Sequence, residues 1–418
     1  MKIGFYFNDK GFSNLDLKEP VNGNNGIGGT QYCFIMLADA LIKYSDYDVV
    51  FYHHNENVLP DGVKSVIVSD TDDMLKKCSE DKIDFFVFKV DGVMGVLKHL
   101  HNVNFDCIAW AHNYIGDKEL LEINSNQKIK RVVFVGKEQY DRYLDHDIIK
   151  KSTYIYNMFD GRVFKKRPMP DVPSVTYTGS LVETKGFHIL ANAWPSIIKA
   201  VPDAQLYVIG TGQLYDRNAK LGALGVADEK YEAKFADSLT INGKILDSVH
   251  FCGTMGKEKS EIYQKTTVGV MNPSGKTETF GLSAVEMEAC GIPVVTKATN
   301  GLFDTVINEK TGYLIKNKRQ LTQAIISLLK NREKNEELGK QSKAYADSMF
   351  LPENLVKKWD KMFIDIVDGK EANFEAPSGH YTNNLKWLRI CIRKLKSKKI
   401  PAKSLIEIEY KIKRLIKG

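Results

Sequence analysis

The chain passes twice through the same alternation of short, apolar, β-rich runs and helical stretches. That pattern restricts it to parallel sheets covered by helices on both faces. In the first half KIGFYF, YDVVFYHH, IDFFVFKV, DCIAWAH and RVVFVG read as strands, with GGTQYCFIMLADALIKY and TDDMLKKCSE as helices between them. YIYNMFDGRVFKKRPMPDVP breaks the pattern with three prolines between Pro168 and Pro173 and reads as a linker. A second series starts at SVTYTGS. It runs through the helix GFHILANAWPSIIKAV, the strands AQLYVIG and VHFCG, the helix KEKSEIYQK and the strand VGVMNPS, and closes on GYLI and the helix RQLTQAIISLLKN. With 418 residues to distribute, this predicts an α/β chain of two Rossmann-like, doubly wound domains facing each other across a cleft. The expected boundaries are 1–165 and 174–345, a terminal helix over 346–368, and a linker and tail over 369–418.

The segment from Asn272 to Val295, NPSGKTETFGLSAVEMEACGIPVV, holds the densest chemistry. FGLSAVEMEACG is helix-like and stops at Gly291, and PVVT follows as a buried strand. A loop ending at Glu278 therefore feeds a helix whose first free N–H groups belong to about Phe280, Gly281 and Leu282. Such a start offers donors and a positive dipole end to an anion. Gly281 permits close approach to the backbone, and Glu286 lies two turns further in. An anion-binding helix start flanked by two carboxylates suits a ligand that is anionic at one end and hydroxyl-rich at the other, such as a sugar nucleotide.

The E-x7-E spacing of Glu278 and Glu286, set within PS…E-T-F-G-L-S…E-x-x-A-C-G-I-P-V-V, resembles the hallmark of retaining glycosyltransferases of family 4, which have the GT-B fold. The resemblance covers roughly residues 1 to 368 and is strongest from Gly179 to Val295. It implies transfer of a sugar, with retention, from a nucleotide-sugar donor to a glycan or lipid-linked glycan. It implies neither metal nor bound cofactor, the donor being a co-substrate. It also implies that Glu278 holds sugar hydroxyls and Glu286 the nucleotide ribose. TGSLVETKGFHIL is similar to the family's G-R-L-x-x-x-K-G stretch: Gly179, Lys185 and Gly186 match, and Ser180 stands where the family has arginine. Lys185 would then meet the diphosphate as a point charge. The loss of a bidentate clamp at Ser180 calls for another cation, for which Lys257 is the candidate.

Gly28 and Gly29 follow the first strand, where a glycine pair brings backbone N–H groups up to a phosphate. The preceding loop, 8–29, is long and rich in Gly and Asn. His112 ends the strand CIAWAH, at the carboxyl end where ligands gather in such sheets, and its expected role is a hydrogen bond near the reacting carbon. His53 and His54 read as structural, and Asn157 and Asp160 as a linker-shaping turn. The IGTG of Ile209 to Gly212 has Tyr215 where a third glycine would stand, so it does not make a dinucleotide fingerprint.

Six scattered cysteines without a CxxC pair argue for a reducing compartment and against a structural zinc site. Twelve Lys/Arg and two Glu stand between Tyr381 and Gly418, a local net of +10, which leaves −3 for the rest of a chain whose total is +7. The basicity is that of a tail, which argues against a nucleic-acid partner for the body. On a helical wheel Tyr381, Leu385, Trp387, Leu388, Cys391, Ile392 and Leu395 share one side, and Lys386, Arg389, Arg393 and Lys396 the other. A second basic helix after Pro401 groups Leu405, Ile408, Ile412 and Leu415. A basic amphipathic helix of this kind predicts binding to an anionic membrane surface, hence a cytoplasmic protein peripheral on the inner face of the membrane. A helix packed on the body is the competing reading of the tail. For the whole chain the competing functions are a non-catalytic nucleotide-sugar-binding scaffold and a glycoside hydrolase using Glu278 and Glu286 as acid and base.

Overall fold

The computed structural model describes residues 1–20, 27–90, 95–213 and 220–417. Part of the Gly/Asn-rich loop, 21–26, and Tyr215 lie outside the described residues. The chain divides into two compact units: Met1–Pro20, Thr30–Met158 and Pro352–Gly418 form the first, and Val21–Gly29 with Phe159–Leu351 the second. The change of unit falls at Met158/Phe159, within the stretch 154–173 that reads as a linker, and again at Leu351/Pro352.

The first unit is built on seven parallel strands: β1 (Lys2–Tyr6), β2 (Asp48–His53), β3 (Val63–Ile67), β4 (Phe85–Lys89), β5 (Asp106–Ala111), β6 (Ile129–Phe134) and β7 (Ser152–Tyr154). Their order is β3-β2-β1-β4-β5-β6-β7. The central strands are continuous apolar runs because helices cover both of their faces: Phe85 to Phe88 are all buried, as are Cys107 to Ala111. The helix Pro352–Val367 closes this unit. Its Trp359 meets Trp110 of β5 edge-on at 5.1 Å, and Phe363 lies 5.0 Å from Phe85 of β4. Both helix residues are fully buried. Asp9, after β1, gathers the side chains of His53 and Asn57 and the amides of His54 and Asn55, so His53 is a structural residue.

The second unit holds β8 (Ser174–Thr178), β9 (Gln205–Ile209), the short hairpin β10 (Thr240–Ile241) and β11 (Lys244–Ile245), β12 (Val249–Gly253), β13 (Val268–Val270), β14 (Val294–Lys297) and β15 (Gly312–Ile315). Apart from the hairpin these form one parallel sheet in the order β12-β9-β8-β13-β14-β15. The order reverses between β8 and β13, and in open α/β sheets ligands bind outside the strand ends at such a point. The stretch GFHILANAWPSIIKAV, expected as one helix, is two, Phe187–Ala191 and Trp194–Ala200. Pro195 lies in the first turn of the second, where its missing N–H costs nothing.

The tail forms the helices Lys386–Ser397 and Leu405–Lys417, and both belong to the first unit. They pack with two cations as well as Ile392, Leu405 and Ile406 turned inward. Lys386 and Arg389, from the cationic side of the helical wheel, are 1% and 0% exposed, whereas Trp387 and Leu395, from its apolar side, are 52% and 41% exposed. The cause is a cluster of carboxylates contributed by 138–145. Lys386 Nζ lies 2.7 Å from Glu138 and 2.8 Å from Asp141, and Arg389 Nη1 lies 3.0 Å from Asp145. No helix among the described residues is long and apolar enough to cross a membrane.

Candidate functional site

A cavity of about 220 Å³ opens in the second unit at the reversal of strand order. The residues that follow β8 (Gly179, Ser180), β9 (Gly210, Thr211), β12 (Thr254, Met255) and β13 (Met271, Asn272) all line it, together with Lys185, Lys259, Glu278, Leu282 and Ser283. Gly29, grouped with this unit, completes the wall.

Two lysine–glutamate pairs dominate the site. Lys185 Nζ lies 2.7 Å from Glu278 Oε2, which also accepts from Asn272 Nδ2 at 2.9 Å. Lys259 Nζ donates to both Oε1 and Oε2 of Glu286, each at 2.7 Å. Glu278, Glu286 and Lys259 are all buried. This excludes the picture of two solvated glutamates on a surface helix, and Glu278 is more enclosed than a carboxylate open to a cleft.

The loop carrying Glu278 is held tightly. Ser274 Oγ donates to Thr184 O at 2.5 Å, tying 272–278 to the turn that bears Lys185. Gly186 ends that turn at φ +73°, and a Cβ there would stand 2.6 Å from the Ser274 nitrogen, so the approach requires glycine. Asn272 has φ 37° and Thr277 φ 57°. A β-branched residue in the left-handed region stores strain that the surrounding bonds must hold, and here it sits one residue before Glu278.

The helix after this loop begins at Leu282, with Gly281 at its N-cap in the left-handed region. Leu282 and Ser283, the first two residues of the helix, line the cavity, and amides in a first turn have no partner within the helix. Phe280 stands two residues ahead of the helix. It is buried, and its ring packs edge-on against Phe350 at 5.4 Å.

Of the residues singled out in the sequence, the structure thus assembles Gly29, Ser180, Lys185, Glu278 and Leu282 around one cavity, with Glu286 behind Lys259. Gly28 is half-buried beside Gly29. His112 belongs to the first unit, directly after β5, with its ring 4.4 Å from that of Trp110. Burial, assisted by the charge of Lys89, lowers its pKa to about 3, so at neutral pH it is an uncharged hydrogen-bonding group. Lys257, the expected substitute for the arginine missing at Ser180, is exposed; the cation in the cavity is Lys259, two residues on. Among the described residues no group of three or more His, Cys, Asp or Glu is placed to hold a metal.

Comparison with known proteins gives this site a context. Residues 162–345 match the family model described as glycosyl transferases group 1. Over 196 residues the chain is 29% identical to spore coat protein SA of Bacillus subtilis, covering 45% of this chain and 48% of that protein. The chain thus spans about half the length of this curated relative. Among solved structures, sucrose-phosphate synthase from Thermosynechococcus elongatus superposes with a TM-score of 0.69 at 17% identity, covering 88% of this chain and all of that one. HepE from Anabaena, in complex with UDP-glucose, does so with a TM-score of 0.64 at 16% identity, covering 88% and 100%. Two Rossmann-like units of GT-B type, as expected from the sequence, are the fold of this chain.

Proposed function

We propose that this chain, whose residues 162–345 match the family model of glycosyl transferases group 1, is a retaining, metal-independent glycosyltransferase. It moves a sugar from a nucleoside-diphosphate donor to a hydroxyl of a glycan or lipid-linked glycan. The observation that carries the reading is the gathering of Lys185, Glu278 and Lys259 around one cavity at the sheet's switch point, beside a helix start, with Glu286 held behind Lys259. Each ammonium is balanced by a carboxylate. A donor separates these roles: the diphosphate takes Lys185, Lys259 and the amides of Leu282 and Ser283, while Glu278 accepts from sugar hydroxyls and Glu286 from the ribose. The bond from the sugar's anomeric carbon to the diphosphate oxygen breaks, and the acceptor oxygen bonds that carbon on the same face. The acceptor's proton leaves on the departing diphosphate. Two lysines and a helix start answer the charge that develops on the leaving group, the task a metal performs elsewhere. HepE holds UDP-glucose on a similar fold, which makes a uridine donor the first to test. An acceptor carried on a lipid would place the enzyme at the inner face of the membrane.

Calorimetry with UDP, GDP, TDP and ADP and their sugars identifies the donor, and turnover separates an enzyme from a binding scaffold. With the donor known, Glu278→Gln is expected to lower kcat/KM by more than about tenfold, ~1.4 kcal/mol of transition-state stabilisation. Tm should stay near that of the wild type. Retention of wild-type kcat/KM would remove Glu278 from the reaction.

A further inference from the structure

The tail helices are fastened by the inward Lys386 and Arg389 and present a set of apolar side chains to solvent. On Lys386–Ser397, Trp387, Cys391 and Leu395 recur every fourth residue and so lie on one stripe, and all three are exposed. On Leu405–Lys417, Ile408, Ile412 and Leu415 form a second stripe, 38%, 51% and 82% exposed. Ile400, in the connection between the helices, is 46% exposed. A folded chain rarely leaves this many large apolar side chains in water within one short segment unless they meet something.

Charge says what they meet. Lys386 and Arg389 are consumed by Glu138, Asp141 and Asp145 and are unavailable to a partner. Seven cations of the tail remain exposed among its described side chains, Lys403 and Lys411 among them, and stand along and between the apolar stripes. A surface of Trp and aliphatic side chains interleaved with lysines matches the boundary of an anionic bilayer, where rings and methyl groups enter at headgroup depth and ammonium groups meet phosphates. A second copy of this chain fits poorly, because a two-fold contact would set the same cations against each other.

We propose that the outward stripes of these two helices are a docking surface for an anionic lipid bilayer. The membrane-facing side is then the one expected from the sequence to be apolar. The inward cations, counted there toward lipid binding, instead anchor the helices to the first unit. The proposal goes beyond the transfer reaction and concerns the tail alone.

The test is cosedimentation of the full chain with vesicles of phosphatidylglycerol or of phosphatidylcholine, with no donor present, so that it stands or falls apart from the chemistry. The wild type is expected to sediment with phosphatidylglycerol vesicles and not with phosphatidylcholine, and to release as salt rises from about 0.05 to about 0.5 M. Trp387→Glu with Leu395→Glu, and separately Lys398→Glu with Lys399→Glu, should each weaken binding by about tenfold or more. Because all four residues are exposed, Tm should not move. Three results would overturn the proposal. The wild type could ignore anionic vesicles at low salt, or the variants could bind as it does. The wild type could also sediment as a dimer that Trp387→Glu dissociates, which would assign the face to a second copy.

Discussion

Replacing Lys259 by Met should separate the two things this lysine does. Lys259 holds both oxygens of Glu286 at 2.7 Å, and the two side chains are 9% and 4% exposed. Removing the ammonium leaves a carboxylate buried without its partner, and such a change costs about 3–5 kcal/mol. Against a typical total of about 5–15 kcal/mol, that is a large share of the stability. Adding Glu286→Leu removes the stranded charge, and apolar replacement of a buried pair is often neutral or stabilising. The double variant should therefore recover most of the loss in urea unfolding. Binding should behave differently. In this chain Ser180 occupies the family's arginine position, so Lys185 and Lys259 are the cations that line the cavity. A point charge about 4 Å from a phosphate at an effective dielectric constant of 20 gains roughly 4 kcal/mol before the competing pull of Glu286 is deducted. We expect UDP affinity, measured by calorimetry, to fall by at least about tenfold (~1.4 kcal/mol) in both the single and the double variant. Unchanged affinity in the stable double variant would show that Lys259 serves Glu286 alone. A loss of stability below about 1 kcal/mol in the single variant would refute the buried pair itself.

Further outcomes follow from other parts of the molecule. His112 has a folded pKa of about 3 against an ordinary 6.5, so protonation favours the unfolded chain and stability falls as pH drops below 6.5. From pH 7 to pH 5 this histidine should account for about 2 kcal/mol, visible in urea midpoints and absent from His112→Gln. Lys386→Met leaves Glu138 and Asp141 buried beside each other without their shared cation. Thermal unfolding should report a loss of about 3–5 kcal/mol, whereas Trp387→Ala at the next position should be nearly silent. Transfer activity should survive exhaustive chelation; activity that vanished and returned with manganese would mean that the two lysines do not suffice for the leaving group.

The buried parallel strands were legible because burial on both faces writes a continuous apolar run, as in FFVFK and CIAWA. The sheet edges were not. β3, VKSVI, has no fully buried residue, and β7 is only three residues long, so neither carries that signature. The helix Arg332–Phe350 buries a regular stripe, but Asn335, Gly339, Ser342 and Ala346 in it are polar or small, so it carries no apolar periodicity either. At the site, the loop-to-helix pattern pointed to Glu278 and Glu286 and the family resemblance to Lys185; Glu278 and Lys185 line the cavity, with Glu286 behind Lys259. The choice between Lys257 and Lys259 depended on which side of a short helix faces inward, which spacing within one turn does not decide. The tail shows the limit most sharply. A helical wheel separates two faces but says nothing of which one turns inward, and the deciding residues, Glu138, Asp141 and Asp145, lie some 240 positions earlier in the chain.

The first unit is interrupted: its sheet is complete at Tyr154, but its closing segment begins only at Pro352. During synthesis at about 5–20 residues per second, the chain between Met158 and Pro352 takes roughly 10–40 s to emerge. Throughout that interval Trp110 lacks Trp359, and Glu138, Asp141 and Asp145 lack Lys386 and Arg389. The second unit, which is contiguous apart from the short segment Val21–Gly29, can finish while the first waits. A nascent chain paused in this window presents an open aromatic face and an unneutralised acidic patch, features that chaperones would meet and that the finished protein conceals.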